Sequence, residues 1–339
     1  MGTEKHVIIG WGLAGAVLSW NLFFEEKNVE IYDSGENHST RTAAGLVNPV
    51  VFRRLTKSWK ADELLPAAVE FYKRVEKVLG TKLLSDKSIY RVFSSIEEQN
   101  NWSSKLGDDR FAPYLEFPDK NEWPADDQVE YPFGLGKVKT IGNLDTNLFL
   151  DASKAFFESK GVVFINQRFD YDTPLTDATY LFCEGTGLTQ NPYFNHLPIR
   201  QTHGETLTVE AKGYDFEQIL NKNMFILGLG NNTYRVGATY NWSLKEPILT
   251  PEAREELQEK MAAFLKFDYE IVAQKAGVRP TVIDRRPMLG RHPEHNNAVA
   301  FNGLGTKGVM IAPYFAQHLL AHLWTGSPLD SEVDIKRFE

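Results

Sequence analysis

The chain has 339 residues, of which 42% are hydrophobic and 24% charged, and its formal net charge is −8. These values are ordinary for a globular protein of one or two domains, and no run reaches the ~18 apolar residues that a membrane span requires. No basic run is longer than Arg53-Arg54 or Arg285-Arg286, so we expect no nucleic-acid partner. The single cysteine, Cys183, excludes an internal disulfide and suits a reducing, cytoplasmic location.

The N-terminal segment predicts a compact βαβ unit. Val7–Ile9 is a short apolar run ended by glycines, which is typical of a buried parallel strand. Leu13–Phe24 is apolar on nearly all sides and predicts a buried helix. Val29–Tyr32 predicts a second strand, which ends at Asp33.

Two further helices are expected before residue 165. Apolar spacing predicts a helix over Ala67–Leu79 that ends at Gly80, with Val75, Val78 and Leu79 on its buried side. The proline-rich stretch 108–136 predicts loops and short strands. Asp145 is a candidate N-cap for a helix that ends at Gly161. The expected inward face of this helix consists of Leu148, Ala152, Ala155 and Phe156.

The second half of the chain changes its pattern. Strands are expected at 162–165 and 180–183, and alternation over Thr206–Val209 then indicates antiparallel pairing. Gly230-Asn231-Asn232 separates two apolar runs, at 225–229 and 233–239, and predicts a hairpin.

Two helices complete the expected elements. Thr250-Pro251 starts one of them, with Ala253, Leu257, Met261 and Leu265 on one face, and the last helix spans 308–324. Because βα units occur at both ends and in the middle, we expect one α/β domain interrupted by a second, sheet-rich domain.

A glycine motif connects the first strand to the first helix. It reads Gly10-Trp11-Gly12-Leu13-Ala14-Gly15 and has the G-x-G-x-x-G spacing of dinucleotide-binding folds. The first glycine permits the turn, the second lets backbone approach a pyrophosphate, and the third lets the helix pack on the sheet. Asp33 is placed to bind ribose hydroxyls, and an acid at this position argues against NADP.

Together with four further patches, this motif resembles the D-amino-acid oxidase and glycine oxidase family over nearly the whole chain. These patches are Thr42-Ala43-Ala44-Gly45-Leu46-Val47-Asn48-Pro49, Glu184-Gly185-Thr186-Gly187, Ala276–Pro280 continued by Asp284–Arg291, and Asn302–Val309 followed by Ala312-Pro313. The resemblance implies FAD, bound non-covalently because Cys183 is far from the C-terminal patches where cysteinyl flavin links occur in sarcosine-oxidase relatives.

The implied fold is an α/β protein: a Rossmann-like, glutathione-reductase-like FAD-binding domain with an antiparallel-sheet-rich α+β substrate domain. We place the FAD-binding domain at 1–84, 143–198 and 274–339, and the substrate domain at 85–142 and 199–273. The residues implied to contact the cofactor are Gly10, Trp11, Gly12, Leu13, Ala14, Gly15, Asp33, Thr42, Ala43, Ala44, Gly45, Leu46, Gly185, Gly187, Gly303, Gly305, Thr306, Lys307 and Gly308.

Two basic residues are the candidate catalytic groups. The resemblance gives Arg279 the role of holding a substrate carboxylate, which the planar guanidinium does with two parallel hydrogen bonds. The alternative for Arg279 is an ordinary ion pair. Lys307 precedes the last helix and is expected to stabilise negative charge on the reduced flavin; its alternative is a solvated lysine. Glycine-oxidase-like sequences have a second basic residue where this chain has Thr306.

The expected reaction is oxidation of the C–N bond of a small amine or amino acid to an imine by hydride transfer to flavin. The acceptor of the electrons is left open between oxygen and another carrier. Two alternatives remain. The Asn48-Pro49 loop and the turn ending at Gly308 also resemble the oxidase half of the bifunctional enzyme that makes the methylaminomethyl group on tRNA wobble uridine. The second alternative is a flavin-binding subunit without catalytic activity.

Other residues have plainer interpretations. We expect no metal site, because His203, His292 and His295 do not share one element at ligand spacing. Packing is the expected role of Cys183 and of Trp59, Trp102, Trp123 and Trp242. The alternative for the four tryptophans is to line a pocket. Arg53, Arg54 and Lys57 either meet an anionic substrate or lie on the surface.

Overall fold

A computed structural model describes residues 5–36, 39–119, 122, 128–139, 142–214 and 216–339. The strands are β1 Lys5–Ile9, β2 Asn28–Tyr32, β3 Val50–Val51, β4 Thr56–Lys57, β5 Ile89–Val92, β6 Leu115–Glu116, β7 Leu135–Val138, β8 Val163–Ile165, β9 Ala178–Phe182, β10 Ile199–Glu210, β11 Ile219–Asn221, β12 Phe225–Gly230, β13 Thr233–Gly237, β14 Glu270–Val282, β15 Met288–Arg291 and β16 Ala298–Asn302. The α-helices are α1 Leu13–Phe24, α2 Ser39–Thr42, α3 Ala61–Leu79, α4 Ile96–Leu106, α5 Thr146–Ser159, α6 Pro251–Ala262 and α7 Gly308–Thr325.

The first sheet is mostly parallel, as expected for a Rossmann-like domain. Its six strands run in the order β15-β16-β9-β1-β2-β8, and every neighbouring pair is parallel except β15 with β16. Helices α1, α3, α5 and α7 pack against one another beside it. Strands β9 and β16 are buried along their whole length, as apolar strands covered on both faces should be.

The second sheet is largely antiparallel, as predicted. Its eight strands run in the order β14-β10-β13-β12-β11-β5-β7-β6, with one parallel pair, β11 and β5. Its strands come from the two chain segments assigned to the substrate domain, except that β14 continues past residue 273 toward the first sheet. The domain boundaries themselves stay a prediction.

The local predictions succeeded where caps and turns were explicit. Asp145 caps α5 by accepting hydrogen bonds from the backbone N–H groups of Asn147 and Leu148, and Thr250 caps α6 with Pro251 in the first turn. The predicted hairpin is formed by β12 and β13, with Asn231 and Asn232 at positive φ.

The predicted inward face of α5 is only partly correct, since Phe156 packs against the core but two of the other residues do not. Leu148 is 37% exposed and Ala155 is exposed. The buried residues on this helix include Phe149, Ser153 and Phe157. The Ser153 hydroxyl accepts a hydrogen bond of 2.8 Å from Trp20 Nε1, so a polar residue occupies the core face. Apolar residues surround most of this helix, and their spacing alone did not select the stripe that is most deeply buried.

The α3 prediction needs correction at both its start and its face. The helix begins at Ala61, six residues earlier than predicted, and contains Pro66. Val75 is buried as predicted, whereas Val78 is 40% exposed. Pro66 is the sixth residue of the helix and lies beyond the first turn, so the intrahelical hydrogen bond that an N–H at this position would make is missing.

The tryptophans predicted to pack fall into three groups. Trp102 is fully buried and donates from Nε1 to the Glu116 carbonyl at 3.2 Å, so packing is confirmed for it. Trp59 stacks on Phe315. Trp242 is 54% exposed, so the packing prediction is wrong there. Trp123 lies outside the described residues.

Among the helices of the described ranges, none combines the length and the apolar character needed to cross a membrane.

Candidate functional site

A cavity of about 1620 Å³ lies at the carboxyl ends of β1, β2, β9 and β16 and extends to β10 and β14 of the second sheet. Ligands of open parallel sheets bind at this edge, because the strand-to-helix turns meet there. Pockets for one small molecule usually enclose ~300–1,000 Å³. The cavity therefore has room for a dinucleotide and a substrate together.

The glycine motif lines one end of this cavity and has the predicted geometry. Gly10 has φ +102°, and a Cβ there would lie 2.6 Å from the Cys183 carbonyl oxygen. A Cβ on Gly15 would lie 2.0 Å from the Gly10 carbonyl oxygen, so this glycine lets α1 pack on the turn. A Cβ on Gly12 would meet only the Thr40 hydroxyl, at 3.5 Å. The backbone at Gly12 is thus open to the cavity, as close approach by a phosphate requires.

Two members of the motif contribute differently from the others. The Trp11 side chain packs edge-on against Phe157 and Phe164, with ring centroids 6.0 Å and 4.9 Å away. Only the backbone of Trp11 is therefore suited to meet a ligand. Gly15 lies beneath the turn and does not line the cavity. Leu13 and Ala14 do line it.

Asp33 lies beside the N-terminus of α1. Its Oδ1 accepts a hydrogen bond of 3.2 Å from the Trp11 backbone N–H, and no donor within the described ranges contacts Oδ2. The carboxylate lines the cavity and is free to accept hydrogen bonds from ribose hydroxyls. The Thr40 hydroxyl, which the sequence analysis did not identify, accepts a hydrogen bond from the Leu13 N–H at 3.2 Å.

The small-residue loop Thr42–Leu46 lines the middle of the cavity and is attached to two strands of the second sheet. The Thr42 hydroxyl donates to the Ala276 carbonyl on β14 at 2.8 Å, and Arg235 on β13 donates to the Ala43 carbonyl at 2.8 Å. A Cβ on Gly45 would lie 2.0 Å from the carbonyl oxygen of Leu144. The loop is therefore held in one place, and its small residues leave space for a ligand.

The second glycine turn, with Gly185 and Gly187, adds a carboxyl group that sequence reasoning missed. Glu184 lines the cavity, and it accepts hydrogen bonds from the Tyr171 hydroxyl and from Asn191 Nδ2. Burial raises its pKa above the ordinary glutamate value. Its position directly before the glycine turn was the available sequence indication.

Arg279 projects from β14 into the cavity. It donates to the His203 carbonyl at 3.4 Å, and its guanidinium carbon lies 4.5 Å from the centre of the Tyr240 ring. It forms no ion pair with any of the residues that the structure describes. Burial lowers its pKa, but an arginine stays charged. The ion-pair alternative therefore has no described partner.

Lys307 lies directly before α7 and lines the same cavity. Its amino group donates to the carbonyls of Asn48 at 2.6 Å and Val50 at 3.3 Å, rather than extending into solvent. Burial lowers its pKa to about 8. Thr306 is exposed at the cavity edge. Gly303, Gly305 and Gly308 complete the turn, the first two at positive φ.

The remaining basic candidates separate into two groups. Arg53 and Lys57 line the cavity, whereas Arg54 is exposed outside it. Basic side chains outnumber acidic ones in the described lining, although the whole chain is acidic. Such a charge distribution favours anionic ligands.

Cys183 and the histidines do not form a reactive cluster. Cys183 is buried, and burial raises the pKa of its thiol, which agrees with a packing role. His203 is buried with Nε2 at 2.8 Å from the Ile248 carbonyl, whereas His292 and His295 contact each other elsewhere with ring centroids 4.8 Å apart.

Comparison with known proteins identifies relatives over the full length of the chain. Residues 5–323 match the family described as DAO, FAD dependent oxidoreductase. The chain is 22% identical to the uncharacterised oxidoreductase YurR of Bacillus subtilis (strain 168), covering 99% of this chain and 98% of that protein.

Solved structures share the fold. Glycine oxidase from Geobacillus kaustophilus has a TM-score of 0.81 and 18% identity, covering 99% of this chain and 98% of that one. Iminodiacetate oxidase from Chelativorans sp. BNC1 has a TM-score of 0.76 and 21% identity, covering 98% of each chain.

Proposed function

The chain belongs to the FAD-dependent oxidoreductase family, and from this premise we propose that it oxidises the C–N bond of a small amine or amino acid that carries a carboxylate. The observation that carries the proposal is Arg279, a cationic group in the cofactor cavity with no described ion-pair partner. Glycine and iminodiacetate, the substrates in the names of two similar structures, are both small amines with a carboxylate.

The residues of the cavity fit FAD. Backbone N–H groups at the start of α1, the open approach at Gly12 and the free oxygen of Asp33 suit a pyrophosphate and a ribose. We propose that the cofactor is held non-covalently, since Cys183 is buried and its thiol pKa is raised. When bound, the flavin supplies the hydride acceptor for the substrate carbon.

Placement is the main contribution of the protein to catalysis. Arg279 binds the substrate carboxylate and thereby fixes the carbon that bears the amine. The reacting nitrogen must be neutral, because its lone pair drives the transfer. No carboxylate among the residues that the structure describes is paired with Arg279, so its guanidinium is available to the acid group of the substrate. No strong protein base is needed for this step.

Lys307 and the N-terminus of α7 supply further positive charge in the same cavity. We assign them to stabilising the negative charge that two-electron reduction creates. The two carbonyl acceptors fix the amino group of Lys307 in place, so its charge is already oriented before the reaction. The electrons then pass to oxygen or to another carrier.

Stopped-flow absorbance tests the proposal by measuring reduction of the bound flavin. The panel contains D- and L-amino acids, N-alkyl amino acids, amines without a carboxylate, and tRNA with a modified wobble uridine. We expect rapid reduction by one class of small amino acid and slow reduction by its decarboxylated analogue.

Matched arginine variants connect the activity to the cavity. Arg279→Lys should lose most of the activity toward the carboxylate substrate, since an ammonium cannot form the two-bond fork. Arg54→Lys, at an exposed arginine outside the cavity, should retain it. Reduction by tRNA alone would favour the wobble-uridine alternative, and no reduction by any compound would favour the non-catalytic one.

A further inference from the structure

The guanidinium of Arg279 is held by two residues that have no assigned role, Gly204 on β10 and Tyr240 beyond β13. A Cβ built on Gly204 would lie 2.3 Å from Arg279 Nη1 and 2.4 Å from Nη2. The two terminal nitrogens therefore occupy the space that any other side chain at this position would fill. The ring of Tyr240 lies over the guanidinium, 4.5 Å from its central carbon to the ring centre.

Tyr240 belongs to a segment that lines part of the cavity, residues 238–250, which we call the strap. The strap is attached to β10 on both sides of Gly204. Asn241 exchanges two backbone hydrogen bonds with His203, at 2.9 and 3.0 Å. Thr250 donates from its hydroxyl to the buried carboxylate of Glu205 at 2.6 Å. The position of the Tyr240 ring is thereby tied to the strand that carries Gly204.

The hydrogen bonds of Arg279 show which part of it is available. Nη1 donates to the His203 carbonyl, whereas Nε and Nη2 have no acceptor within the described part of the chain. A carboxylate pairs with arginine by two parallel bonds to adjacent nitrogens. The edge formed by Nε and Nη2 is thus the one left for such a pairing.

We propose that Gly204 and Tyr240 are positioning residues that turn the Nε–Nη2 edge of Arg279 toward the substrate carboxylate. This inference rests on the proposed function, because it requires Arg279 to bind that carboxylate. Gly204 receives the Nη1–Nη2 end of the side chain, and the ring of Tyr240 covers one face. The arginine has few other orientations left, so less freedom is lost when the substrate binds.

The test measures binding of benzoate and of benzamide, its neutral isostere, to the FAD-loaded protein through the change in flavin absorbance. Tyr240→Leu should weaken benzoate binding by about 2- to 30-fold, the value of a cation–π contact. Tyr240→Phe keeps the ring and should bind benzoate like the wild type. Benzamide affinity should not follow this pattern, since the amide carries no charge.

The control and a second variant distinguish positioning from a general effect on the strap. Leu249→Ala changes a strap residue that is 56% exposed, close to the 58% of Tyr240, and should not alter benzoate affinity. Gly204→Ala should weaken benzoate binding more than Tyr240→Leu does, because the new Cβ displaces the guanidinium. Since that Cβ would also lie 2.6 Å from the Thr239 carbonyl oxygen, the melting temperature of the Gly204→Ala variant is measured too. The exposed Tyr240 site keeps the test valid if Gly204→Ala does not fold.

The outcomes separate the inference from the function on which it rests. If Arg279→Lys loses benzoate but Tyr240→Leu binds it as well as the wild type, positioning by Tyr240 is refuted and the carboxylate anchor stands. If Tyr240→Phe binds benzoate as weakly as Tyr240→Leu does, the aromatic ring is not what positions Arg279 and the inference fails. If benzoate does not bind the wild type, or binds Arg279→Lys equally well, both the carboxylate anchor and the positioning role of Gly204 and Tyr240 are refuted.

Discussion

Replacing Arg279 by methionine should remove activity while leaving the fold intact. Most buried arginines are paired, and removing one partner of a buried ion pair costs ~3–5 kcal/mol because the other charge is left without compensation. Arg279 has no described carboxylate partner, so no charge is stranded when it is lost. The lost contacts are the 3.4 Å hydrogen bond and the stacking on Tyr240, the latter worth about 0.5–1 kcal/mol at an exposed ring. Removing a desolvated charge has the opposite effect, since it raises the free energy of unfolding.

Arg91 provides the matched comparison. It is 6% exposed, and it donates to Glu98 and to Asn221, both at 2.7 Å. Arg91→Met should therefore lower the free energy of unfolding by ~3–5 kcal/mol. Arg279→Met should change it by no more than about 1 kcal/mol in either direction. Thermal melts of both variants, with the same excess of FAD, measure the contrast.

The kinetic half of the experiment uses the best carboxylate substrate. Truncating a desolvated guanidinium–carboxylate contact costs ~2–5 kcal/mol, which is roughly a 30- to 5,000-fold loss in kcat/KM. If most of the loss in kcat/KM comes from a higher KM, Arg279 binds the substrate equally well in the ground and transition states. A fall in kcat would show that Arg279 also aligns the reacting carbon. If Arg279→Met melted as early as Arg91→Met and kept its kcat/KM, Arg279 would be a structural residue and the reasoning would be wrong.

Three further changes test the cofactor site. Asp33→Ala should raise the dissociation constant of FAD by about 10- to 150-fold, since hydrogen bonds to a charged acceptor are worth ~1.5–3 kcal/mol. Flavin fluorescence titration measures this constant, and an unchanged value would show that Asp33 does not bind FAD. Gly15→Ala should lower both FAD affinity and melting temperature, because its Cβ would lie 2.0 Å from a backbone carbonyl oxygen, whereas Gly107→Ala, where the nearest atom is 3.6 Å away, should stay near wild type. Lys307→Met should lower the flavin reduction potential by ~20–60 mV at pH 7, where the lysine is charged. Because the pKa of Lys307 is about 8, the difference between the two proteins should shrink as the pH rises through that value, and a constant difference from pH 6 to 10 would exclude the lysine charge as its cause.

Local chemistry explains why much of the fold was predictable. Asp145 and Thr250 cap their helices through side-chain oxygens, and Asn231 and Asn232 adopt the positive φ that the hairpin turn requires. The glycine motif is equally local, since a Cβ on Gly15 would collide within the βαβ unit and a Cβ on Gly10 would collide with Cys183 at the end of the adjacent strand. Helix α4 was missed although Ser95 caps it, and the Ser95-x-x-Glu98 pattern was present in the sequence.

The candidate site was only partly predictable, because its geometry depends on contacts between distant segments. Gly204 lies 75 positions before Arg279, and nothing around it in the sequence indicates that a guanidinium fills its missing side chain. Tyr240 resembled any exposed aromatic residue until its position over Arg279 was known. The partly wrong face predicted for α5 has the same origin, since the Trp20 partner that buries Ser153 comes from another helix.

Strand β14 joins the two halves of the site physically. Arg279 projects from it into the cavity, while three residues earlier the Ala276 carbonyl accepts a hydrogen bond from Thr42 in the loop that lines the cofactor cavity. Gly277 lies between them, and a Cβ there would be 3.0 Å from Ser39 Cα and 3.3 Å from Thr42 Cβ, so the strand lies close to helix α2, which leads into the loop. The residue proposed to anchor the carboxylate and the loop proposed to hold the flavin are therefore both positioned by strand β14. A shared attachment of this kind suits hydride transfer, in which the donor carbon and its acceptor must be held at a fixed short distance.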